Sequence, residues 1–327
     1  MNESLLRVAE KIFSAENVLI MTHLRPDGDA LGSSFGLKQA LADHNINASV
    51  ILPSGMPLKY NSLCKADLDS VEAEDPDRFD LFVSLDCANL ERLGCGNISP
   101  EILLNRNFVN IDHHRGNSVG AKIQWIDESA ASASLMVTEL LHFSGKKISP
   151  EAATFLMTGM MTDTGCFCFA NTNARAFQGA AIAANAGACI EKIVNSIFFN
   201  KPLNQLKFEA ELIEKHLQIR CGGKVSLAYI PDELLEKYSF EMREDEGLID
   251  IVRSVAGSVI AVLIHRRDDG FRVSLRSKDQ TLPVRPIALH FNGGGHPMAA
   301  GCTIEAPDFD SVMEQLLPLL DSAVESK

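Results

Sequence analysis

No stretch of this 327-residue chain approaches the ~20 consecutive apolar residues that a membrane-spanning helix needs. The longest weakly polar segment, residues 176–190, is broken by Gln178, Gly179, Asn185 and Gly187. Residues 1–13 alternate charged and apolar side chains at helical spacing, where a secretory leader would need an unbroken apolar core. Cationic surplus is missing too. A formal net charge of −13 excludes the broad positive surface of a general nucleic-acid coat, but not a small phosphorylated substrate in a locally basic cleft. Eight cysteines are present (Cys64, Cys87, Cys95, Cys166, Cys168, Cys189, Cys221 and Cys302), and none forms the C-x-x-C pair of a structural zinc site. Their scatter predicts free, mostly buried thiols in a reducing, cytoplasmic compartment. There is no internal repeat and no low-complexity tract. What remains is 46% hydrophobic and 22% charged residues, the balance of a globular protein whose length predicts two domains.

The first half alternates short apolar runs with helical patterns. Strands are predicted at 18–21, 48–52, 81–85, 108–111 and 123–126, continuous runs of the kind covered on both faces. Residues 30–43 carry Leu31, Phe35, Leu37, Ala40 and Leu41 at helical intervals, giving a βαβ unit and a mostly parallel sheet. Ser149-Pro150-Glu151 opens a helix that delivers Asp163 at its end. Further helices are expected at 173–187, 190–199 and 203–219, the last a connector exposing Lys201, Lys207, Glu209, Glu211, Glu214 and Lys215. Strands at 225–230, 259–264 and 271–275 and a helix at 309–320 then describe a smaller α+β domain. The expected division is 1–188 for the catalytic domain, 189–219 for a helical linker and 220–327 for a substrate-binding domain.

Four apolar elements end in metal-ligand residues: His23-x-x-x-Asp27-x-Asp29, Asp86, Asp112-His113-His114 and Asp163. In a parallel sheet, ligands gather at the carboxyl ends of strands, so these side chains are expected to meet. Two imidazoles and four carboxylates (His23, Asp27, Asp29, Asp86, His113 and Asp163) suit Mn²⁺, Fe²⁺, Mg²⁺ or Co²⁺ better than structural zinc. Their four negative charges are balanced by two divalent ions, the arrangement that serves phosphoryl transfer. Each segment alone has a plainer explanation. Asp29 could cap the helix that follows it, and Asp86 or Asp163 could form turns.

Taken together, these motifs resemble the DHH phosphoesterase superfamily, specifically its two-domain branch of nanoRNases and 3′,5′-bisphosphate nucleotide (pAp) phosphatases. Ser274-Leu275-Arg276-Ser277 and Asn292-Gly293-Gly294-Gly295-His296 resemble the DHH-associated second domain. The resemblance implies an α/β fold with the active-site cleft between the two domains, and a dinuclear, typically Mn²⁺, centre. His23 and Asp27 would hold one ion, Asp29, His113 and Asp163 the other, and Asp86 would bridge. It further implies that Asp112 orients an imidazole, that His114 faces the scissile phosphate, and that a water activated by the ions attacks phosphorus in line. Arg276, Ser277, Gly293, Gly294, Gly295 and His296 would bind substrate phosphate. Arg285-Pro286 and Arg115 depart from the branch's usual residues.

The implied activity is hydrolysis of short oligoribonucleotides to 5′-mononucleotides and of pAp to AMP, without membrane or long-duplex partners. A linear or cyclic dinucleotide phosphodiesterase, a pyrophosphatase, an exopolyphosphatase and a non-catalytic nucleotide binder are the competing functions. Oligomeric state stays open, a homodimer included.

Overall fold

In a computed structural model, described here for residues 3–63, 75–242 and 247–325, the apolar runs of the first half become five strands. They are β1 (Asn17–Met21), β2 (Asn47–Ile51), β3 (Leu81–Leu85), β4 (Phe108–Asp112) and β5 (Ile123–Ile126). All pair in parallel, in the order β2-β1-β3-β4-β5. The helices of this unit are α1 (Glu3–Phe13), α2 (Gly28–Ala42), α3 (Pro100–Asn105), α4 (Ala133–Phe143), α5 (Pro150–Asp163), α6 (Ala174–Asn185) and the short α7 (Ile190–Ile193). Alternate strand residues pack on opposite faces. Val18, Ile20, Val83 and Ile111 join α1, α2, α4 and α5 in one core, while Leu19, Met21, Phe82 and Phe108 join Leu103 of α3 in another. The strand order reverses between β1 and β3, where a doubly wound sheet opens a crevice at its carboxyl edge.

Three helices meet closely beneath that edge. Gly32 of α2 lies against α5, and a Cβ there would come within 2.6 Å of Gly159 N and Phe155 O. At Gly159 an added Cβ would overlap Ser134 Oγ on α4 and approach Asp29 Oδ1 to 2.6 Å. The bare helix faces therefore set the depth at which Asp29 and Asp163 sit. Arg175 of α6 fixes α4 from the other side, forking onto both Glu139 oxygens at 2.6 Å and reaching Asp127 at 2.7 Å. Gly159→Ala should cost roughly 1–3 kcal/mol by overpacking and weaken metal binding on the Asp29 side. Denaturant unfolding of the metal-free protein reads the first effect, and an unshifted midpoint would contradict the packing argument.

The second half contains α8 (Leu203–Glu211), β6 (Leu217–Arg220), β7 (Val225–Ile230), α9 (Asp232–Tyr238), α10 (Leu248–Arg253), β8 (Ile260–Arg267) and β9 (Gly270–Ser277). It continues with α11 (Arg285–His290), β10 (Gly294–His296), β11 (Ala299–Ile304) and α12 (Phe309–Glu325). Its sheet runs β10-β11-β9-β8-β7-β6, antiparallel except for β7 with β8. One face packs on α11 and α12 through Val273, Leu275, Cys302 and Leu316. On the other, α8–α10 cover β7 and β8 through Phe208, Leu234 and Ile249. The chain divides into units Met1–Asn200 and Lys201–Lys327.

Several sequence expectations fail here for identifiable reasons. The helix expected to run through residue 219 loses α-helical form after Glu211, passes through a π-turn, and becomes β6 at Leu217. Pairing of β6 with β7 overrides its helical pattern. Glu209, expected on an exposed face, is buried and accepts from Lys201 Nζ at 2.9 Å. Cys64 lies outside the described residues; of the rest, all free, only Cys87, Cys95 and Cys302 are buried, while Cys168 and Cys189 are exposed. Helices α3, α4, α9, α10 and α11 and strands β10 and β11 were not anticipated. No described helix is long and apolar enough to cross a membrane.

Candidate metal centre

Strands β1, β3 and β4 are followed at the carboxyl edge of the sheet by His23, Asp86 and His113, while Asp29 lies in the first turn of α2 and Asp163 ends α5. Past β1, residues 22–27 form a tight loop in which Arg25 adopts a left-handed φ of 56°. Asp27, not Asp29, is the N-cap of α2: its Oδ1 accepts from the amides of Asp29 and Ala30, both at 3.0 Å. Asp29 is thereby released from capping its own helix. Its carboxylate instead accepts from the first amides of α4, Ala133 N at 2.6 Å and Ser134 N at 2.9 Å, where the helix dipole favours negative charge.

Asp86 lies at the centre. It follows β3 with φ at 54°, a left-handed conformation that costs a non-glycine residue roughly 1 kcal/mol. Its amide still extends the sheet, donating to Ile111 O at 3.1 Å. The turn aims its two oxygens at different neighbours. Oδ2 is 3.8 Å from His23 Nε2, and Oδ1 is 3.4 Å from His113 Nε2. His23 Nε2 also lies 3.8 Å from Asp27 Oδ2. His113 Nε2 lies 3.8 Å from Asp29 Oδ2 and 3.9 Å from Asp163 Oδ2.

All six residues expected as ligands are therefore brought together. They fall in two sets, His23–Asp27–Asp86 and Asp29–His113–Asp163, and Asp86 also groups with His113 and His114; within each group the ligand atoms lie within 4.8 Å of one another. A cation fits the chemistry of this cluster. Asp86 is 2% exposed, and its Oδ1 has no hydrogen-bond partner, so a buried carboxylate oxygen faces two imidazoles with nothing donating to it. The protein alone balances the charge with protons. Burial, with Asp86 beside it, pushes Asp29 up to about 7. Burial likewise drives Asp163 well above the carboxylate range. Burial would depress His23, but the Asp27 and Asp86 carboxylates outweigh it and hold the imidazole at about 9.

Those shifts give metal binding a defined pH dependence. A ligating Asp29 must be ionised and a ligating His23 neutral, so affinity should climb as pH rises through about 7 and again toward about 9, with protons released on uptake. Mn²⁺ calorimetry in buffers of different ionisation enthalpy measures both. An affinity flat across this range, without proton release, would disprove the linkage.

His114 belongs to the same edge but faces differently. Its Nδ1 donates to Asp112 Oδ1 at 2.8 Å and lies 3.5 Å from Asp86 Oδ1. The buried Asp112 thus orients His114. Two asparagines complete the frame and were missed in the sequence. Asn117 Nδ2 donates to Asp112 Oδ2 at 2.5 Å and to Cys87 O at 2.9 Å. Asn171 Nδ2 donates to Asp163 O and Ala131 O, both at 3.1 Å. Asn117 falls three residues after His114 in a turn, a weak signal, and Asn171 leaves none. Arg115 makes an exposed ion pair with Glu128 at 3.6 Å.

In the second unit, Arg276 and Ser277 end β9 but point to opposite faces. Arg276 is half-buried on the face with Ala299 and His296, its strand partners across β11 and β10. Ser277 is buried toward the core, its hydroxyl bonded to Asp279 O at 3.0 Å, so it is not brought together with Arg276. Gly293, Gly294 and Gly295 lead into and form edge strand β10 rather than a free loop. Arg285-Pro286 opens α11, with Pro in the first turn.

Comparison with known proteins agrees with this architecture. Residues 17–160 match the DHH family N-terminal domain, and residues 222–326 match the DHHA1 domain. A bifunctional oligoribonuclease and PAP phosphatase NrnA from Thermus thermophilus is 30% identical over 96% of this chain and 93% of its own. The Bacillus subtilis protein of the same name is 29% identical over 90% and 91%. The crystal structure of an exopolyphosphatase-related protein from Bacteroides fragilis superposes with a TM-score of 0.85 at 22% identity, covering 98% of this chain and 97% of that one, and shares the fold. With the paired DHH and DHHA1 domains and full-length similarity to these relatives, the chain belongs to the DHH family.

Proposed function

We propose that this protein is a Mn²⁺-dependent phosphoesterase that hydrolyses short oligoribonucleotides to 5′-mononucleotides and pAp to AMP. The observation that carries the reading is Asp86, whose two oxygens address two separate sets of imidazole and carboxylate ligands. That geometry suits two ions sharing one carboxylate, with His23 and Asp27 on one side and Asp29, His113 and Asp163 on the other. Mg²⁺ and Co²⁺ are alternatives, Mg²⁺ favouring the carboxylates and Co²⁺ also taking imidazole nitrogen. Bound there, the ions would lower the pKa of a water and neutralise charge building on phosphorus. The chain's own residues do the rest. Asp112 fixes the His114 ring through Nδ1, and His114 would donate a proton from Nε2 to the leaving oxygen. Arg276 and His296 share a face with Gly294 and would bind a substrate phosphate. The overall negative charge supports short substrates over long duplexes.

A substrate panel tests the reading. With Mn²⁺, the protein should release AMP from pApA, pAp and a short RNA, and far less phosphate from pyrophosphate. Turnover of pyrophosphate alone would move the protein to a different reaction, and nucleotide affinity without turnover under Mn²⁺, Mg²⁺ or Co²⁺ would make it a binder.

A further inference from the structure

The three consecutive glycines of the second unit do not have one cause. Gly293 and Gly295 are required by the sheet. A Cβ on Gly293 would overlap Gly301 O, and one on Gly295 (φ +132°) would sit 2.5 Å from Ala299 O. Gly294 is different: an added Cβ would meet nothing within 4 Å. Neither crowding nor backbone conformation demands glycine there, so its bareness keeps space open.

The sheet register shows what borders that space. Gly294 pairs with Gly301, and Gly301 pairs with Ser274 on β9, so the three lie in one row on one face. The neighbouring row is His296, Ala299 and Arg276. The row on the other side contains Thr303 and Arg272. Arg272 does not stay in its own row. A Cβ on Gly301 would fall 2.6 Å from Arg272 Nη2 and 3.0 Å from its Cζ. The guanidinium therefore lies over Gly301, about one strand spacing (~5 Å) from Gly294. Arg272, Ser274 and Arg276 are all half-buried, alternating with the core residues Phe271, Val273 and Leu275. A shallow trough results, floored by Gly301, Ala299 and Gly294, with the Arg272 guanidinium over it and Ser274, Arg276 and His296 in its rows on the same face.

We propose that Arg272, given room by Gly301, supplies a second guanidinium beside Arg276 in a subsite for the terminal phosphate of a short nucleotide. The inference rests on the nucleotide phosphoesterase reading above and extends it to substrate choice. A terminal phosphate carries nearly two negative charges and three acceptor oxygens, which a planar fork and a neighbouring cation match better than one arginine does. The trough thus favours 5′-phosphorylated dinucleotides over unphosphorylated ones.

Gly301→Ala is the sharpest test, because the atoms its Cβ would crowd most are the far end of a flexible side chain. It should displace the guanidinium while leaving thermal unfolding close to wild type. In the full chain with Mn²⁺, both Arg272→Ala and Gly301→Ala should reduce the kcat/KM preference for pApA over ApA by about tenfold or more. The loss should fall mainly on KM, and Arg272→Lys should restore part of it. An unchanged preference in Arg272→Ala and Gly301→Ala overturns the assignment, as does an equal loss for pApA and ApA, which would place Arg272 on the internal diester. Should the wild-type protein cleave neither dinucleotide nor pAp, the phosphoesterase reading fails, and calorimetric titration of pAp judges the subsite separately. There, the same two variants must weaken binding about tenfold, and undiminished binding refutes the subsite.

Discussion

Asp86→Asn should keep the fold and abolish both tight metal uptake and phosphoester hydrolysis. The substitution isolates charge from conformation. Asp86 occupies a left-handed turn, which Asn adopts at least as readily, and its amide bond to Ile111 O does not involve the side chain. What changes is the one carboxylate whose oxygens face both ligand sets. Loss of an outer partner to a metal ligand typically costs roughly 10–100-fold in affinity or activity. Removing the shared ligand itself should cost on the order of 10³-fold or more in kcat, with Mn²⁺ stoichiometry below that of the wild type. Metal titration and release of AMP from pApA measure the two losses, and thermal unfolding without metal checks the fold. Wild-type stoichiometry in D86N would end the claim that Asp86 bridges.

The elements that carry these ligands were legible because each is a local signal. The runs ending at Met21, Leu85 and Asp112 are short, apolar and buried on both faces, and a parallel sheet forces their ends to one edge. Which residue caps α2 was not legible, because Asp27 and Asp29 are both good cap residues and only backbone geometry chooses Asp27. The true partner of Asp29 is the start of α4, more than a hundred residues away, and nothing local in Ala133-Ser134 ties it to Asp29. Gly159 was equally silent, since a glycine within a helix shows its purpose only when a second helix presses on it. In the second unit, the glycine run carried no strand signal, and hydrogen bonding to β11 makes it an edge strand. Chemistry-bearing residues at element ends were readable, and the long-range contacts that position them were not.

His114→Ala should be nearly as damaging to turnover as Asp86→Asn while leaving metal uptake in place, and that contrast separates the two roles. The imidazole is tied through Nδ1 to Asp112, and Nε2 is the nitrogen that would address a phosphate oxygen. Burial would lower its pKa, yet the hydrogen bond it donates to Asp112 and the charge of Asp86 raise it above the ordinary histidine value. Burial would also raise Asp112, but His114 and the amide of Asn117 hold it below the usual carboxylate range, so it stays ionised. A general acid must be protonated, and a raised pKa extends the protonated form to higher pH. Activity dependent on His114 should therefore fall as pH rises through that pKa, and Asp112→Asn should move this alkaline limb to lower pH. Loss of a positioned general acid costs roughly 10²–10⁴-fold, so H114A should fall in that range, with D112N less affected. A kcat for H114A within about twofold of wild type would remove the residue from proton transfer. An alkaline limb that stays in place in D112N would show that Asp112 orients the ring without tuning it.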